Sequence, residues 1–170
     1  MLESGRLKYR KLTLDDVEPL YGIIGKEENM IFYPRPFTVD ETEEWINRNI
    51  KSYSENGFGL YAVIDKVSNQ FIGQCGISLQ DINGVILPEI GYQIKPEFRN
   101  QGIATESARY WLNQGVENLG LENIFIHTYV KNVPSQRVAV KIGMKYLGEY
   151  DKYMPRYNLI WKHVIFSNNT

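Results

Sequence analysis

A predicted strand and a predicted helix are joined by the stretch 96-PEFRNQGIATE-106. Gly102 can adopt backbone angles that other residues avoid, and it lets a ligand approach the main chain closely. The first N–H groups of the helix, predicted over residues 102–118, have no partner inside the helix, and the helix dipole favours an anion beside them. The stretch therefore predicts an anion-binding turn, for which a diphosphate is the natural occupant. An ordinary turn that ends a strand is the alternative.

Two common phosphate-binding loops do not fit this stretch. No Gly-Lys-Ser/Thr follows Gly102, so the loop is not a Walker A loop. The three-glycine pattern of the dinucleotide fingerprint is also missing.

Working outward, the chain reads as alternating strands and helices. Hairpin turns are predicted at Ser68-Asn69 and Asn83-Gly84, and a capping box at Thr38 and Glu41 opens a helix. The predicted strands are residues 7–12, 60–65, 71–80, 85–94, 123–130, 144–150 and 158–166. The predicted helices are residues 14–24, 38–56, 102–118 and 135–142. Early hairpins followed by a strand–helix–strand crossover predict a mixed α/β fold with helices on the sheet faces, in one domain over residues 1–170.

Composition excludes several classes of protein. A net charge of −1 leaves no broad basic surface for nucleic acid or an anionic membrane, and neither partner is expected. No apolar run reaches a membrane span, and the first ten residues carry no apolar signal region. The single cysteine, Cys75, permits no intrachain disulfide, which fits a reducing, cytoplasmic setting. One cysteine and two distant histidines, His127 and His163, give no metal-site spacing, so no metal is expected.

A second informative block is 132-NVPSQRVAVKIGM-144. Ser135 is predicted to cap the short helix and Gly143 to end it. Together with residues 89–92 (EIGY) and 99–106 (RNQGIATE), this block resembles the GNAT acetyltransferases, and within them the RimJ/RimL-like branch. The resemblance extends over nearly the whole chain, and the order and spacing of the motifs are its specific part.

The resemblance implies a fold and an activity. The fold is a three-layer α/β/α arrangement whose mostly antiparallel sheet has a splayed parallel strand pair at the CoA site. The activity is transfer of the acetyl group of acetyl-CoA to a primary amine by direct attack in a ternary complex. The acceptor is a protein N-terminal amine, ribosomal ones included, or a small amine. A non-catalytic acyl-CoA sensor with the same fold and an unrelated nucleotide-binding module are the alternatives.

The resemblance also implies where acetyl-CoA binds. Its diphosphate meets the main-chain N–H groups of Asn100, Gln101, Gly102, Ile103, Ala104 and Thr105. Its pantetheine arm pairs with the strand edge at Tyr92, Gln93 and Ile94, and Asn132 hydrogen-bonds the same arm. An exposed strand edge offers the donors and acceptors that the two amides of pantetheine need.

Two catalytic residues are expected. Glu89 lies on the strand that leads to the CoA site and is the candidate base, acting directly or through water; a solvated structural carboxylate is the alternative. Many GNAT members use a tyrosine as the proton donor at the position that Ala139 occupies here. In the RimJ/RimL-like branch a serine at the Ser135 position can take this role, so the resemblance implies Ser135 as proton donor or thiolate partner; a serine that only caps the helix is the alternative. Cys75 lacks an evident partner for nucleophilic catalysis. His127 is expected to be a structural histidine of the sheet, with a role in the site as the alternative.

By family analogy, the acceptor groove lies between the first helical region and the strands after the CoA site. The candidate substrate-binding residues are Tyr33, Phe37 and Tyr153, and further candidate walls are Arg35, Trp45, Tyr150 and Tyr157. Residues 150–157 are expected to form a mobile polar and aromatic loop. The protein is expected to be a monomer or a homodimer.

Overall fold

The computed structural model describes residues 2–169, in which eight strands and four α-helices alternate along the chain. The strands are β1 (Leu2–Glu3), β2 (Leu7–Lys11), β3 (Leu60–Asp65), β4 (Phe71–Ile82), β5 (Val85–Ile94), β6 (Phe125–Tyr129), β7 (Lys145–Met154) and β8 (Leu159–Ser167). The helices are α1 (Val17–Ile24), α2 (Val39–Glu55), α3 (Ile103–Glu117) and α4 (Val133–Lys141).

All the strands form one sheet, in the order β1-β2-β3-β4-β5-β6-β8-β7. Every neighbouring pair is antiparallel except β5 and β6, which are parallel. The β4–β5 hairpin turns at Asn83 and Gly84, whose φ angles of 54° and 82° are those of the tight turn that matches strand twist. The predicted mixed sheet is therefore confirmed.

The parallel pair β5 and β6 opens along its length. Within residues 2–169 the two strands are in register only at Glu89 and Phe125. Beyond that point β5 continues to Ile94 and stays paired with β4, where Ile94 lies opposite Gly73. The edge of β5 that faces β6 is therefore left without a strand partner from Ile90 onward, as the splayed pair of the expected fold requires.

Helices cover both faces of the sheet. One face packs with α3 and α4 around a core that includes Ile77, Ile90 and Trp111. The other packs with α1 and α2 around a core that includes Leu20 and Ile46. These two apolar clusters separate three layers, so the predicted three-layer fold is confirmed. In the described part of the chain, no helix has both the length and the apolarity needed to cross a membrane.

The helix starts follow from local capping. Thr38 and Glu41 form the predicted capping box of α2, with the Glu41 N–H donating to Thr38 Oγ1 at 3.2 Å and the Thr38 N–H to Glu41 Oε2 at 2.9 Å. The prediction that Ser135 caps α4 is wrong. Asn132 is the cap, because its Oδ1 accepts from the Ser135 N–H at 3.3 Å. Gly143 follows α4 with a φ of 91°, as predicted for the residue that ends a helix.

The prediction of a mobile loop over residues 150–157 is also wrong. Strand β7 runs through Met154, which lies opposite Leu159 of β8, and only Pro155–Tyr157 form a short 3-10 turn. The segment alternates between buried Tyr150, exposed Asp151 and half-buried Lys152, which is the period of a strand. Its polar composition concealed that period. The two-residue strand β1 was not predicted either.

Candidate active site

The turn before α3 has the geometry of an anion cradle. Asn100 and Gly102 both have left-handed backbone angles, with φ of 58° and 78°, and α3 begins at Ile103. No side chain caps this helix, and the N–H groups of residues 101–105 donate to no acceptor among residues 2–169. Unpaired amides around a left-handed residue converge as they do in other phosphate-binding turns. A diphosphate therefore fits the backbone here.

Arg6 fastens this cradle to the first hairpin. Its Nη1 donates to the Gln101 carbonyl at 2.8 Å, and its Nε pairs with Glu106 Oε2 at 2.7 Å. Glu106 also accepts from the Arg6 N–H and from Ser4 Oγ. A Cβ built on Gly102 would lie 3.5 Å from Arg6 Nη2. The guanidinium is therefore both a brace for the turn and a positive charge next to it.

Replacing Arg6 with alanine is expected to weaken CoA binding about three- to tenfold. The Arg6 side chain is half exposed, so water and salt screen its charge, and the larger part of the effect comes from loosening the turn. Calorimetric titration with CoA at low and moderate salt measures this. Arg48→Ala, an equally exposed arginine on α2, is the control and should bind CoA normally. Unchanged affinity in Arg6→Ala contradicts the brace.

A cavity of about 510 Å³ continues from the cradle along the outer side of α3. It begins at Gly102 and Thr105 and extends to Arg109 and Lys141, where Arg109 Nη2 donates to the Lys141 carbonyl at the end of α4. The cavity is large enough for part of a nucleotide and carries two positive charges at its far end.

The open edge of β5 has different surroundings on its two faces. Tyr92 points toward α4, where its hydroxyl lies 2.8 Å from Ser135 Oγ and donates to the Ser135 carbonyl at 3.1 Å. Asn132 has both ends of its side chain engaged, since its Nδ2 donates to Thr128 Oγ1 at 3.0 Å. The Ile94 carbonyl accepts from Arg99 Nε at 2.9 Å. Tyr92 therefore connects the open edge of β5 to Ser135 at the start of α4, while the side chain of Asn132, predicted to hydrogen-bond pantetheine, is engaged within the protein.

Glu89 lies on the opposite face of β5, with Gly91 and Gln93. Its side chain is 14% exposed, and its Oε1 is 3.5 Å from His127 Nε2 on β6. Burial raises the pKa of Glu89 to about 8, although the positive charge of Lys152 offsets part of this rise. A carboxylate whose pKa lies near neutrality can take up a proton and release it again. The predicted base is therefore placed where that chemistry is feasible.

A hydrogen-bonded row of side chains lines this face of the sheet. Gln93 Nε2 donates to the Tyr33 hydroxyl at 3.0 Å, and Gln93 Oε1 accepts from Gln74 Nε2 at 2.7 Å. Gln74 Oε1 accepts in turn from Trp45 Nε1 at 3.1 Å. Burial around the Tyr33 hydroxyl raises its pKa, with a smaller contribution from Glu89. Tyr33, among the predicted substrate-binding residues, is thus brought beside Glu89.

The other two predicted substrate-binding residues lie elsewhere. Phe37 is half-buried and packs edge-on against Trp45, with ring centroids 5.9 Å apart, at the margin of the core under α1 and α2. Tyr153 is 55% exposed and lies on the face of β7 away from Tyr150, where its hydroxyl donates to Asn158 Oδ1. The structure does not bring either residue together with Glu89.

A charged cluster joins the loop before α2 to the turn between β7 and β8. Glu41 accepts from both terminal nitrogens of Arg35, at 2.8 and 2.6 Å, and also from Arg156. The Arg35 guanidinium lies 5.4 Å from the Tyr157 ring centroid. Arg35 lowers the pKa of Glu41 to about 2. Arg35 and Tyr157, which were predicted as walls of the groove, therefore tie the loop before α2 to the turn between β7 and β8.

Three residues near Glu89 were not predicted as catalytic or binding residues: His127, Tyr150 and Lys152. Tyr150 was predicted only as a wall of the groove. They belong to β6 and β7, and β8 lies between those strands, so only the sheet order brings them together. For His127, a role in the site was the alternative to a structural one; no signal in the sequence pointed to Lys152. Cys75 is fully buried, and burial raises the pKa of its thiol, which makes it a poor nucleophile. Within residues 2–169, no group of three or more His, Cys, Asp or Glu could hold a metal ion.

Known proteins share this architecture and sequence pattern. The family model described as an acetyltransferase (GNAT) domain matches residues 6–145. An uncharacterized N-acetyltransferase, YnaD of Bacillus subtilis, is 28% identical over 98% of this chain and 95% of its own length. The crystal structure of a GNAT-family acetyltransferase from Bacillus anthracis is 26% identical, with a TM-score of 0.82 over 98% of this chain and 96% of that one.

A third comparison concerns the fold. The ribosomal L7/L12 α-N-protein acetyltransferase RimL, solved in complex with coenzyme A, covers 96% of this chain and 94% of its own with a TM-score of 0.77. At 18% identity this likeness concerns the fold. Since the family model extends over most of the sequence and acetyl-CoA is the acetyl donor of this fold, the chain belongs to the GNAT family and is an acetyltransferase.

Proposed function

We propose that this chain, acting as one domain over residues 1–170, transfers the acetyl group of acetyl-CoA to a primary amine by direct attack. One observation supports this most strongly. A row of unpaired amides at the start of α3 lies beside a strand edge that the neighbouring strand leaves open. The first feature suits a diphosphate and the second suits the amides of pantetheine. Both are placed so that a single extended ligand can use them.

The residues proposed to hold acetyl-CoA follow from this placement. The diphosphate meets the main-chain N–H groups of residues 100–105, with the charge of Arg6 nearby. The pantetheine arm runs along Tyr92, Gln93 and Ile94 toward Asn132. The nucleotide part extends into the cavity that ends at Arg109 and Lys141.

The chain's own residues are proposed to move two protons. When bound, acetyl-CoA supplies an activated acetyl group on a thioester. Glu89 takes a proton from the incoming ammonium group, directly or through one water, and the raised pKa that burial gives it suits that step. Ser135 gives a proton to the departing sulfur from the other side of the opening. The Ser135 oxygen regains a proton from the second one that the acceptor nitrogen loses after attack, and the Tyr92 hydroxyl, 2.8 Å from Ser135 Oγ, hydrogen-bonds that oxygen in the meantime.

Ser135→Ala is expected to lower kcat at least about tenfold and to leave the KM for acetyl-CoA within about twofold. Removing the hydroxyl removes the proposed donor, and general acid catalysis is worth about 10²–10⁴ in rate, part of which Tyr92 can supply. Helix α4 keeps its cap, because Asn132 provides it. Steady-state kinetics measures the change, with Tyr92→Phe as a comparison that keeps Ser135. A rise in KM with unchanged kcat would instead assign Ser135 to binding.

The acceptor is proposed to be a primary amine that enters from the face lined by Glu89, Tyr33 and Gln93. Protein N-terminal amines are the first candidate, since the structural neighbour RimL is named for acetylating one. Small amines are the second. Tyr33 and Gln93 offer polar groups of neutral charge, which can orient either kind of acceptor without requiring an acidic or a basic one.

The experiment that tests this proposal is a thiol-release assay with acetyl-CoA across a panel of N-terminal peptides and small primary amines. The proposal expects release of CoA that depends on the acceptor, with mass spectrometry showing an added acetyl group on the amine. Tight binding of CoA without turnover across the whole panel would favour a non-catalytic acyl-CoA sensor. That alternative rests on Ala139, a fully buried core residue at the position of the family's acidic tyrosine.

A further inference from the structure

The Glu89 carboxylate is one end of a chain of side chains. The other members of this chain, His127 and Tyr150, have no part in the proposed proton transfers. Its Oε1 lies 3.5 Å from His127 Nε2, and His127 Nδ1 lies 2.6 Å from the Tyr150 hydroxyl. The His127 side chain is 5% exposed, and Tyr150 is buried. Both nitrogens of one buried imidazole therefore face a polar partner, and the partners belong to different strands.

The protonation states of this chain are constrained by burial. Burial lowers the pKa of His127 to about 2, so its ring is neutral near pH 7 and carries one N–H and one bare nitrogen. Burial also raises the pKa of Tyr150, so its hydroxyl keeps its proton. An ionised carboxylate only accepts hydrogen bonds. When Glu89 is ionised, the N–H must lie on Nε2, and Nδ1 must accept from the Tyr150 hydroxyl.

We propose that His127 and Tyr150 are positioning residues for Glu89: the Tyr150 hydroxyl fixes the imidazole tautomer that directs its N–H at the carboxylate. This inference rests on the proposed function, in which Glu89 is the base. The imidazole N–H is directed at Oε1 of the carboxylate, in addition to the His127 backbone N–H, which also lowers the pKa of Glu89. At 3.5 Å the contact between Glu89 and His127 is long, and such contacts shorten when a substrate closes the site.

The sheet order builds this chain. Strands β6 and β7 both pair with β8, so Tyr129 and Tyr150 lie opposite the same residue, His163. The His163 ring stands 5.5 Å from His127 and 5.9 Å from Tyr150, which holds both rings in place. Polar or charged groups also face the chain from other elements: Lys152 on β7, Tyr33 from the loop after α1, and Asp81 at the end of β4. These groups stay the same in every variant below.

The first test follows Glu89 itself by NMR, in full-length protein carrying ¹³C-labelled glutamate carboxyl groups. In Tyr150→Phe we expect Glu89 to titrate at least about half a pH unit higher than in the wild type, because the donating tautomer is no longer fixed. In His127→Phe, which lacks any side-chain donor but keeps the backbone N–H that also lowers the pKa of Glu89, we expect a rise of about one unit. His127→Gln retains an N–H donor and should shift Glu89 less than His127→Phe does.

The matched control is Tyr146→Phe. Tyr146 lies on β7 four residues before Tyr150, is 57% exposed, and should leave the titration of Glu89 unchanged. Thermal unfolding is recorded for each variant. If His127→Phe does not fold, Tyr150→Phe and His127→Gln decide the question. Tyr150→Phe removes one hydrogen bond and His127→Gln keeps an N–H donor, and both largely preserve side-chain volume.

The second readout is the pH dependence of kcat/KM for an amine acceptor. The rising limb should move upward by the same amount as the NMR titration, while the KM for acetyl-CoA is unchanged. If Glu89 titrates alike in the wild type, Tyr150→Phe and His127→Phe, the inference is overturned even though the enzyme acetylates amines. If Glu89→Gln is as active as the wild type, the base assignment fails instead, and the NMR shifts still report whether the three side chains are coupled.

Discussion

Replacing Gly102 with valine is expected to weaken CoA binding by at least about 100-fold. Gly102 has a φ of 78° at the residue before α3, and valine would place a branched side chain over the amides proposed to meet the diphosphate. Each charge-assisted hydrogen bond lost there is worth about 1.5–3 kcal/mol, which is about tenfold or more in affinity. Calorimetric titration with CoA measures the effect.

The matched control for this variant is Gly57→Val. Gly57 has a φ of 80°, and a Cβ there would meet no atom within 4 Å, so the backbone strain is the same while the cradle is untouched. Both variants should lose similar stability, about 1–2 kcal/mol for a left-handed residue with a side chain. Only Gly102→Val should lose CoA affinity. Equal affinity in the two variants would contradict the cradle.

Glu89→Gln is expected to lower kcat/KM about 100-fold or more near pH 7, because an amide cannot take the proton of an ammonium acceptor. Activity of the wild type should rise with pH through the raised pKa of Glu89, since only the ionised carboxylate is a base. The variant should lose that limb. It should recover activity only as the pH approaches the pKa of the acceptor amine, where the neutral amine becomes abundant without help.

Asp151→Asn is the control for this prediction. Asp151 precedes Lys152 on β7, but its side chain is 65% exposed and lies on the other face of the strand. The substitution removes one negative charge, as Glu89→Gln does, but leaves Glu89 in place. A pH–rate profile of Glu89→Gln that overlays the wild-type profile would show that Glu89 is not the base. The proposal for acetyl-CoA binding would not be affected by that result.

Local chemistry explains why much of the fold could be predicted from the sequence. Asn83-Gly84 matches the turn that joins β4 and β5, and Thr38 with Glu41 matches the start of α2. Each depends on residues within four positions of one another. The cradle before α3 is equally local, because Gly102 supplies the left-handed angle and the helix supplies the amides. The family resemblance added the three layers and the splayed parallel strand pair.

The features that were missed depend on distant contacts. Strand β7 extends through Met154 because β8 pairs with it residue by residue, a fact that the polar sequence of the segment does not reveal. Asn132 rather than Ser135 caps α4, because the helix begins at Val133, two residues earlier than predicted. The contact of Glu89 with His127 and Tyr150 needs β5, β6 and β7 in their places around β8. No spacing along the chain encodes it.

All the proposed chemistry depends on the amides at the start of α3 holding the diphosphate of CoA. A crystal structure of the protein grown with CoA would show whether they do. We expect diphosphate oxygens within about 3 Å of the N–H groups of residues 102–105, and pantetheine lying along the open edge of β5. Coenzyme A bound elsewhere, with those amides facing only water, would contradict this expectation.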